Sequence, residues 1–304
     1  MFHKIAAVII VAAVGSIGFW ILTRPLSVSA TAFAAHTPDL SNGKAMFFAG
    51  GCASCHVTPN QEDKTRLGGG LALKTPFGTF YAPNISPDQN DGIGAWSELQ
   101  FVNALTKGTS PDGKHYYPAF PFPSYQRMNP NDVRDLYAYI KTLPAIQGRA
   151  PEHDLFFPFT VRRGIGLWKL LFLDQKPFKP DPSQSAEFNR GAYLIEGPGH
   201  CAECHSPRNF LGGIIEAQRF AGGPDPTGEG WVPNITQHAL KDWSLKDIEY
   251  LLKTGTDPEG DSVGASMAAV VRNMGQLTDA DRAAMAAYIK SLSPVAGPKK
   301  SEKH

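Results

Sequence analysis

The chain has 304 residues, of which 42% are hydrophobic and 19% charged, with a formal net charge of +1. That length has room for two domains, and a nearly neutral balance excludes the basic footprint of a nucleic-acid binder. Thirty glycines and 25 prolines beside so few charges suit short helices joined by long, turn-rich loops.

The N-terminus opens with Lys4 and then an uncharged run from Ile5 to Leu22, stopped by Arg24-Pro25. Such a run is near the lower limit for a membrane span and long for the apolar core of a cleaved signal. Trp20 near its outer end fits an interfacial anchor. Ala32-Phe33-Ala34 fits a small-x-small cleavage site. Residues 1–35 are therefore expected to be a retained signal-anchor or a signal peptide, with the anchor preferred. Both place the remainder on the periplasmic side of a bacterial inner membrane, held there by residues 5–22 if the anchor stays.

The stretch that organises the chain follows at Gly50-Gly51-Cys52-Ala53-Ser54-Cys55-His56, and its key words recur at Cys201-Ala202-Glu203-Cys204-His205. Cys-x-x-Cys-His is the attachment pattern of c-type haem. Cys52 and Cys55, and likewise Cys201 and Cys204, would add across the two haem vinyls as thioethers. His56 and His205 would then meet the iron from the proximal side. These four are all the cysteines present, so none remains for a disulfide or a thiolate ligand. Two Cys-x-x-Cys pairs can also share one zinc, a thioredoxin-like motif would need a nearby βαβ pattern, and a disulfide framework does not suit so long a chain. The histidine after both pairs, in an exported chain, favours two covalently bound haem c groups.

The second half repeats the first. Cys52 and Cys201 are 149 residues apart, Pro83-Asn84-Ile85 matches Pro233-Asn234-Ile235, Trp96-Ser97 matches Trp243-Ser244, and Tyr139-Ile140-Lys141 matches Tyr288-Ile289-Lys290. Landmarks in one order at one spacing mean a duplicated domain. The expected division is 38–145 and 185–294, with an aromatic-rich strap at 146–184 and a polar tail at 295–304. The fold class is all-α: two tandem helical haem domains preceded by an N-terminal hydrophobic helix.

Within each half a first helix, 41–49 or 186–196, leads into the haem motif. Gly68-Gly69-Gly70 and Gly212-Gly213 read as the loops that follow. Ser97 and Ser244 are predicted N-caps of a middle helix, with Gln100 and Asp247 three residues on. Gly108 and Gly255 stand where it stops. A last helix is predicted over 131–142 and 278–291. The strap holds Phe156-Phe157-Pro158-Phe159 and Trp168-Lys169-Leu170-Leu171-Phe172, an aromatic density that predicts order by burial between the domains. A docking surface for a protein or the membrane is the alternative.

A methionine opposite each histidine would make the iron low-spin, closed to substrate and suited to electron transfer. In the first half Met128 is the candidate between the haem motif and the last helix. In the second, Met267, Met274 and Met285 compete. Met285 falls inside the last helix and reads as core. Met267 is preferred over Met274 because it follows the glycine-bearing stretch 260–264. His115 and His238 offer bis-histidine iron instead, with surface histidines the plainer reading. Arg66 and Arg208 are candidates to pair with haem propionates, and a carbonyl at Pro59 or Pro207 is expected to accept the proximal imidazole N–H.

Thr75-Pro76-Phe77-Gly78-Thr79-Phe80-Tyr81, Tyr117-Pro118-Ala119-Phe120-Pro121-Phe122-Pro123-Ser124-Tyr125, the run Gly197 to Arg208 and Gly230-Trp231-Val232-Pro233-Asn234-Ile235 resemble the cytochrome c subunits of periplasmic alcohol, aldehyde and sugar-acid dehydrogenases. The resemblance covers about 38 to 294. It implies two tandem cytochrome c-like domains and an electron-transfer subunit rather than a catalyst. Its donor would be a dehydrogenase catalytic subunit of the quinone, flavin or molybdenum type. Its acceptor would be a downstream cytochrome, a quinone or an oxidase of the respiratory chain. Many members of that group carry three haems, and this chain has two motifs. The rival reading is a di-haem enzyme such as a thiosulfate dehydrogenase or a peroxidase, which would need one open or labile iron site.

Overall fold

The computed structural model describes residues 2–29, 31, 33–228 and 230–300. Ala32 of the possible cleavage site and residues 301–304 of the tail lie outside them. A long apolar helix α1 (Phe2–Leu22) is followed by two helical domains and the strap between them.

Domain 1 contains α2 (Leu40–Ala49), the haem-motif helix α3 (Cys52–His56), α4 (Glu98–Lys107), the short α5 (Phe122–Tyr125) and α6 (Pro130–Ile140). The strap carries α7 (Ile165–Phe172). Domain 2 repeats the plan with α8 (Ala186–Glu196), α9 (Ala202–His205), α10 (Leu245–Thr254), α11 (Ala265–Met274) and α12 (Asp279–Ser291). The helix boundaries follow local chemistry. Ser97 and Ser244 each close a capping box with Gln100 and Asp247, and Gly108 and Gly255 end α4 and α10 in left-handed geometry.

In each half the first helix crosses the last, α2 over α6 and α8 over α12. A glycine permits each crossing. A Cβ at Gly43 would lie 2.2 Å from the carbonyl oxygen of Asp135, and one at Gly191 would lie 1.9 Å from that of Ala284. Met46, Phe47, Leu136 and Ile140 fill the core at the first crossing and Leu194, Ile195, Met285 and Ile289 at the second.

The chain is mostly helical, and two small antiparallel sheets qualify the all-α expectation. One joins β1 (Ala72–Thr75), β2 (Gly78–Tyr81) and β3 (Asp154–Leu155); the other joins β4 (Gly223–Pro224) to β5 (Trp231–Val232). Period-2 alternation is hard to see in segments this short. The tail does not begin free. Asn234 donates from Nδ2 to the Val295 carbonyl at 2.8 Å, as Asn84 does to that of Ile146 at 2.6 Å. The repeat therefore continues past each last helix.

The strap is only partly buried. Trp168 packs near Phe122 and Phe172, and Phe178 near Tyr193. Phe156, Phe157, Leu170 and Leu171 are exposed. Aromatic density alone did not reveal which face of the strap turns inward.

Candidate haem sites

Each Cys-x-x-Cys-His segment is one tight helical turn launched from a residue in left-handed conformation. These are Gly51 (φ 57°) before α3 and His200 (φ 41°) at the equivalent place before α9. Glycine adopts that geometry without steric cost. At His200 the strain is offset by what the side chain reaches. Its ring packs edge-on to Tyr125, and its Nε2 approaches the Gly50 carbonyl of the other domain at 3.3 Å.

Both motif histidines are held in one tautomer. His56 Nδ1 donates to the carbonyl of Pro83 at 2.8 Å, and His205 Nδ1 to that of Pro233 at 2.8 Å. A carbonyl only accepts, so Nδ1 carries the proton and Nε2 keeps its lone pair for iron. This corrects the expectation that Pro59 and Pro207 supply these carbonyls. The Pro207 carbonyl is taken by the Ile215 backbone N–H at 2.9 Å. The prolines concerned belong to the Pro-Asn-Ile repeat, whose recurrence was the signal available in the sequence.

A glycine seats each histidine against its proline. Gly69 and Gly222 both have φ of 71°, and their N–H groups bond the His56 and His205 carbonyls at 2.7 and 2.8 Å. A Cβ at Gly69 would lie 2.5 Å from the Ala82 carbonyl oxygen, and one at Gly222 would lie 2.6 Å from the Asn234 nitrogen. The counterpart of Gly69 is thus Gly222, not the Gly212-Gly213 pair. The latter lies against Phe77 and Phe172.

Burial pushes the thiols of Cys52 and Cys201 up to about 12. Among the described residues no three His, Cys, Asp or Glu side chains gather to hold a metal ion. The shared zinc site is not assembled, whereas two free imidazole Nε2 atoms beside paired thiols fit haem c.

The methionines differ in setting. Met128 is fully buried just before the N-cap of α6. The equivalent position in domain 2, before the N-cap Thr278, is Leu277. Met267 and Met274 lie two turns apart on one face of α11; Met267 is half-buried, while Met274 and Met285 are buried in the core. Arg208 holds Glu203, with Nη2 to Oε2 at 2.6 Å, and also donates to the Gly212 carbonyl at 2.7 Å. Its buried Nε has no partner within the protein. Arg66 is exposed. His115 is not at the surface: its Nε2 donates to the Thr23 carbonyl at 2.8 Å, and burial lowers its pKa to about 4. His238 is exposed, as a surface histidine would be.

The two motifs touch. The Gly50 carbonyl, two residues before α3 begins at Cys52, accepts from Tyr125 Oη at 3.1 Å as well as facing His200. Asn273 of α11 donates to Ser54 Oγ inside the first motif at 2.8 Å, and Ser124 of α5 donates to Glu203 inside the second at 2.7 Å. Each domain thus presents the segment before its last helix to the haem helix of the other.

The sequence model of the cytochrome c family matches residues 40–144 and again 189–293. The chain belongs to the cytochrome c family. It is 47% identical over 292 residues to a diheme cytochrome c-type protein of Cereibacter sphaeroides, covering 95% of this chain and 98% of that one. It is 37% identical over 267 residues to the fructose dehydrogenase cytochrome subunit of Gluconobacter japonicus, covering 86% of this chain and 54% of that subunit. It is 36% identical over 277 residues to the cytochrome c subunit of a quinone alcohol dehydrogenase of Gluconacetobacter polyoxogenes, covering 86% and 58%. The chain spans little more than half of these two dehydrogenase subunits and nearly all of the diheme relative.

Proposed function

We propose that this protein is a di-haem c-type cytochrome that relays electrons from a periplasmic dehydrogenase catalytic subunit to the respiratory chain. The carrying observation is that each haem-motif helix is bonded by the other domain, Ser54 by Asn273 and Glu203 by Ser124, with His200 facing Gly50 between the two motifs. Haem c, when bound, supplies one-electron iron chemistry; the chain does the rest. Cys52, Cys55, Cys201 and Cys204 would hold the two macrocycles. His56 and His205, held in orientation by Pro83 and Pro233, would each offer an imidazole to the iron. Met128 and Met267 would each offer a thioether, and iron so saturated would suit transfer rather than catalysis. The unpartnered Nε of Arg208 is offered to a propionate, and Arg66 is its exposed candidate in domain 1.

The dehydrogenase donor, of the quinone, flavin or molybdenum type, is inferred from relatives named as cytochrome subunits of fructose and alcohol dehydrogenases. The acceptor is a cytochrome, a quinone or an oxidase. The N-terminal helix is read as a retained anchor. Its 21 residues make it long and apolar enough to cross a membrane, and its most apolar stretch is not buried against the rest of the chain. The segment just after it is built into domain 1: Thr109 Oγ1 donates to the Leu26 carbonyl at 2.7 Å, and the Val28 N–H to Asn103 Oδ1 at 2.6 Å. Cleavage after Ala34 would discard both.

A pyridine haemochrome count with optical and EPR spectra of the purified protein tests the relay. Two low-spin haems per chain are expected. One high-spin iron that binds cyanide or peroxide in the resting oxidised protein would replace the relay with a di-haem enzyme.

A further inference from the structure

Helix α7 is turned inside out. A surface helix normally buries its leucines and exposes its lysines. In α7 the one charged residue, Lys169, points inward, and its Nζ donates to the carbonyls of Lys107 and Gly108 at 2.6 and 2.8 Å, at the end of α4. Its leucines point outward: Leu167, Leu170 and Leu171 are 44%, 56% and 67% exposed. Positions 167, 170 and 171 lie on one stripe of the helix. Trp168 Nε1 donates to the Leu211 carbonyl at 2.9 Å. That bond brings a loop of domain 2 alongside, and its Phe210 is 87% exposed. An apolar face this continuous needs an occupant.

The root of α1 identifies the occupant. Gly166, the second residue of α7, lies so close to Thr23 that a Cβ there would sit 2.6 Å from its Cβ. Arg163, two residues before α7, donates from Nε to Thr23 Oγ1 at 2.9 Å and from Nη2 to the Trp20 carbonyl at 2.5 Å. Its guanidinium also stands 4.3 Å from the centre of the Trp20 ring. Tryptophan and arginine at the end of an apolar span mark the headgroup level of a bilayer. An element bound side by side with that last turn lies at the same level. The face it leaves free is made of leucine, as in helices that lie in the membrane interface.

We propose that the leucine face of α7, with Phe210 beside it, is seated in the lipid of the outer leaflet. The chain then has a second membrane contact that fixes the orientation of the haem domains. The inference rests on α1 being retained as a span. Two points of attachment stop the domains from turning freely about α1, so one face of the haem pair stays toward the bilayer and the opposite face toward solvent.

Full-length protein reconstituted in phosphatidylethanolamine–phosphatidylglycerol vesicles tests this by spin labelling. The four native cysteines carry haem and do not label, so Leu167→Cys, Leu170→Cys, Leu171→Cys and Phe210→Cys each give one site. All four positions are exposed, and an unchanged haem spectrum verifies folding. Val11→Cys in α1 and Tyr250→Cys on α10 serve as lipid and water references. The expected result is that oxygen collisions exceed those of a water-soluble nickel complex at the α7 and Phe210 labels, as at Val11, with the ratio reversed at Tyr250. Labels on α7 that behave like Tyr250 while Val11 stays in lipid would overturn the proposal and leave the anchor intact. Labels that become shielded only when the catalytic subunit is added would overturn it in favour of a protein partner. N-terminal sequencing that finds the mature chain beginning beyond Thr23 would remove the anchor and this proposal together.

Discussion

The two domains cross their first and last helices in the same way, seat each proximal histidine against the same Pro-Asn-Ile carbonyl, and cap the middle helix with the same serine box. They differ in what they meet outside themselves. The short bridge Thr109–His115 of domain 1 has its counterpart in Thr256–Ser262 of domain 2. At that corner domain 1 places a buried imidazole that grips the Thr23 carbonyl, and domain 2 places an exposed serine. The duplicated chemistry is the part that holds haem. At this corner the divergence falls where domain 1 receives the end of α1 and the strap.

The largest effect should come from breaking what the domains share. Gly43→Val and Gly191→Val both drive a side chain into the backbone of the opposing helix, which cannot yield as a flexible side chain can. Each is expected to cost about 3 kcal/mol or more, read as loss of cooperative denaturant unfolding or failure to accumulate holoprotein. If one domain tolerated its substitution, the two crossings would not be equivalent.

The proposed distal ligands come next, because here the halves differ. Met128→Ala and Met267→Ala should each remove half of the weak ferric sulfur-to-iron band and convert one haem. Met274→Ala should leave that band whole while costing about 2–4 kcal/mol as an ordinary buried truncation. A band lost in Met274→Ala and kept in Met267→Ala would reverse the assignment in domain 2 alone.

His115 sharpens the comparison through pH. Burial holds its folded-state pKa at about 4, below the ordinary 6.5 of an imidazole, so the unfolded chain binds the extra proton between those values. Stability from this group is full above pH 6.5 and falls as pH drops toward 4, by on the order of 2 kcal/mol. His115→Ser, which installs the domain 2 residue, should flatten the difference in denaturant midpoint between pH 7 and pH 4.5. Carboxylates titrate in the same range, so the comparison is between the two slopes rather than either alone.

Much of the site could be read directly: covalent motifs are short and local, and a repeat at constant spacing exposes duplication without any structure. Caps and helix ends at Ser97, Ser244, Gly108 and Gly255 were equally local. The Pro83 and Pro233 carbonyls were not, because a hydrogen bond across 27 or 28 residues leaves no spacing rule. His115 misled for a related reason. A polar residue type predicts exposure on average, and only tertiary contacts reveal that it holds the α1 root and that Lys169 caps α4. The domain 2 ligand stayed ambiguous because Leu277 stands where Met128 does.

The smallest effect concerns Gly51 and His200, equivalent positions with the same backbone and different side chains. Gly51→Ala places a Cβ on a left-handed residue where ordinary contacts leave room, the nearest atoms being 3.6 Å away. The cost is therefore conformational, about 1 kcal/mol. His200→Gly gains a similar amount by relieving φ of 41° but gives up the ring packing on Tyr125 and the approach to Gly50. The two terms nearly cancel, so the thermal midpoint should move little. Electron exchange between the haems is the better readout. If His200 serves the apposition of the motifs, His200→Gly slows equilibration after flash reduction of one haem, while Gly51→Ala, which keeps every interdomain bond, lowers stability and leaves that rate unchanged.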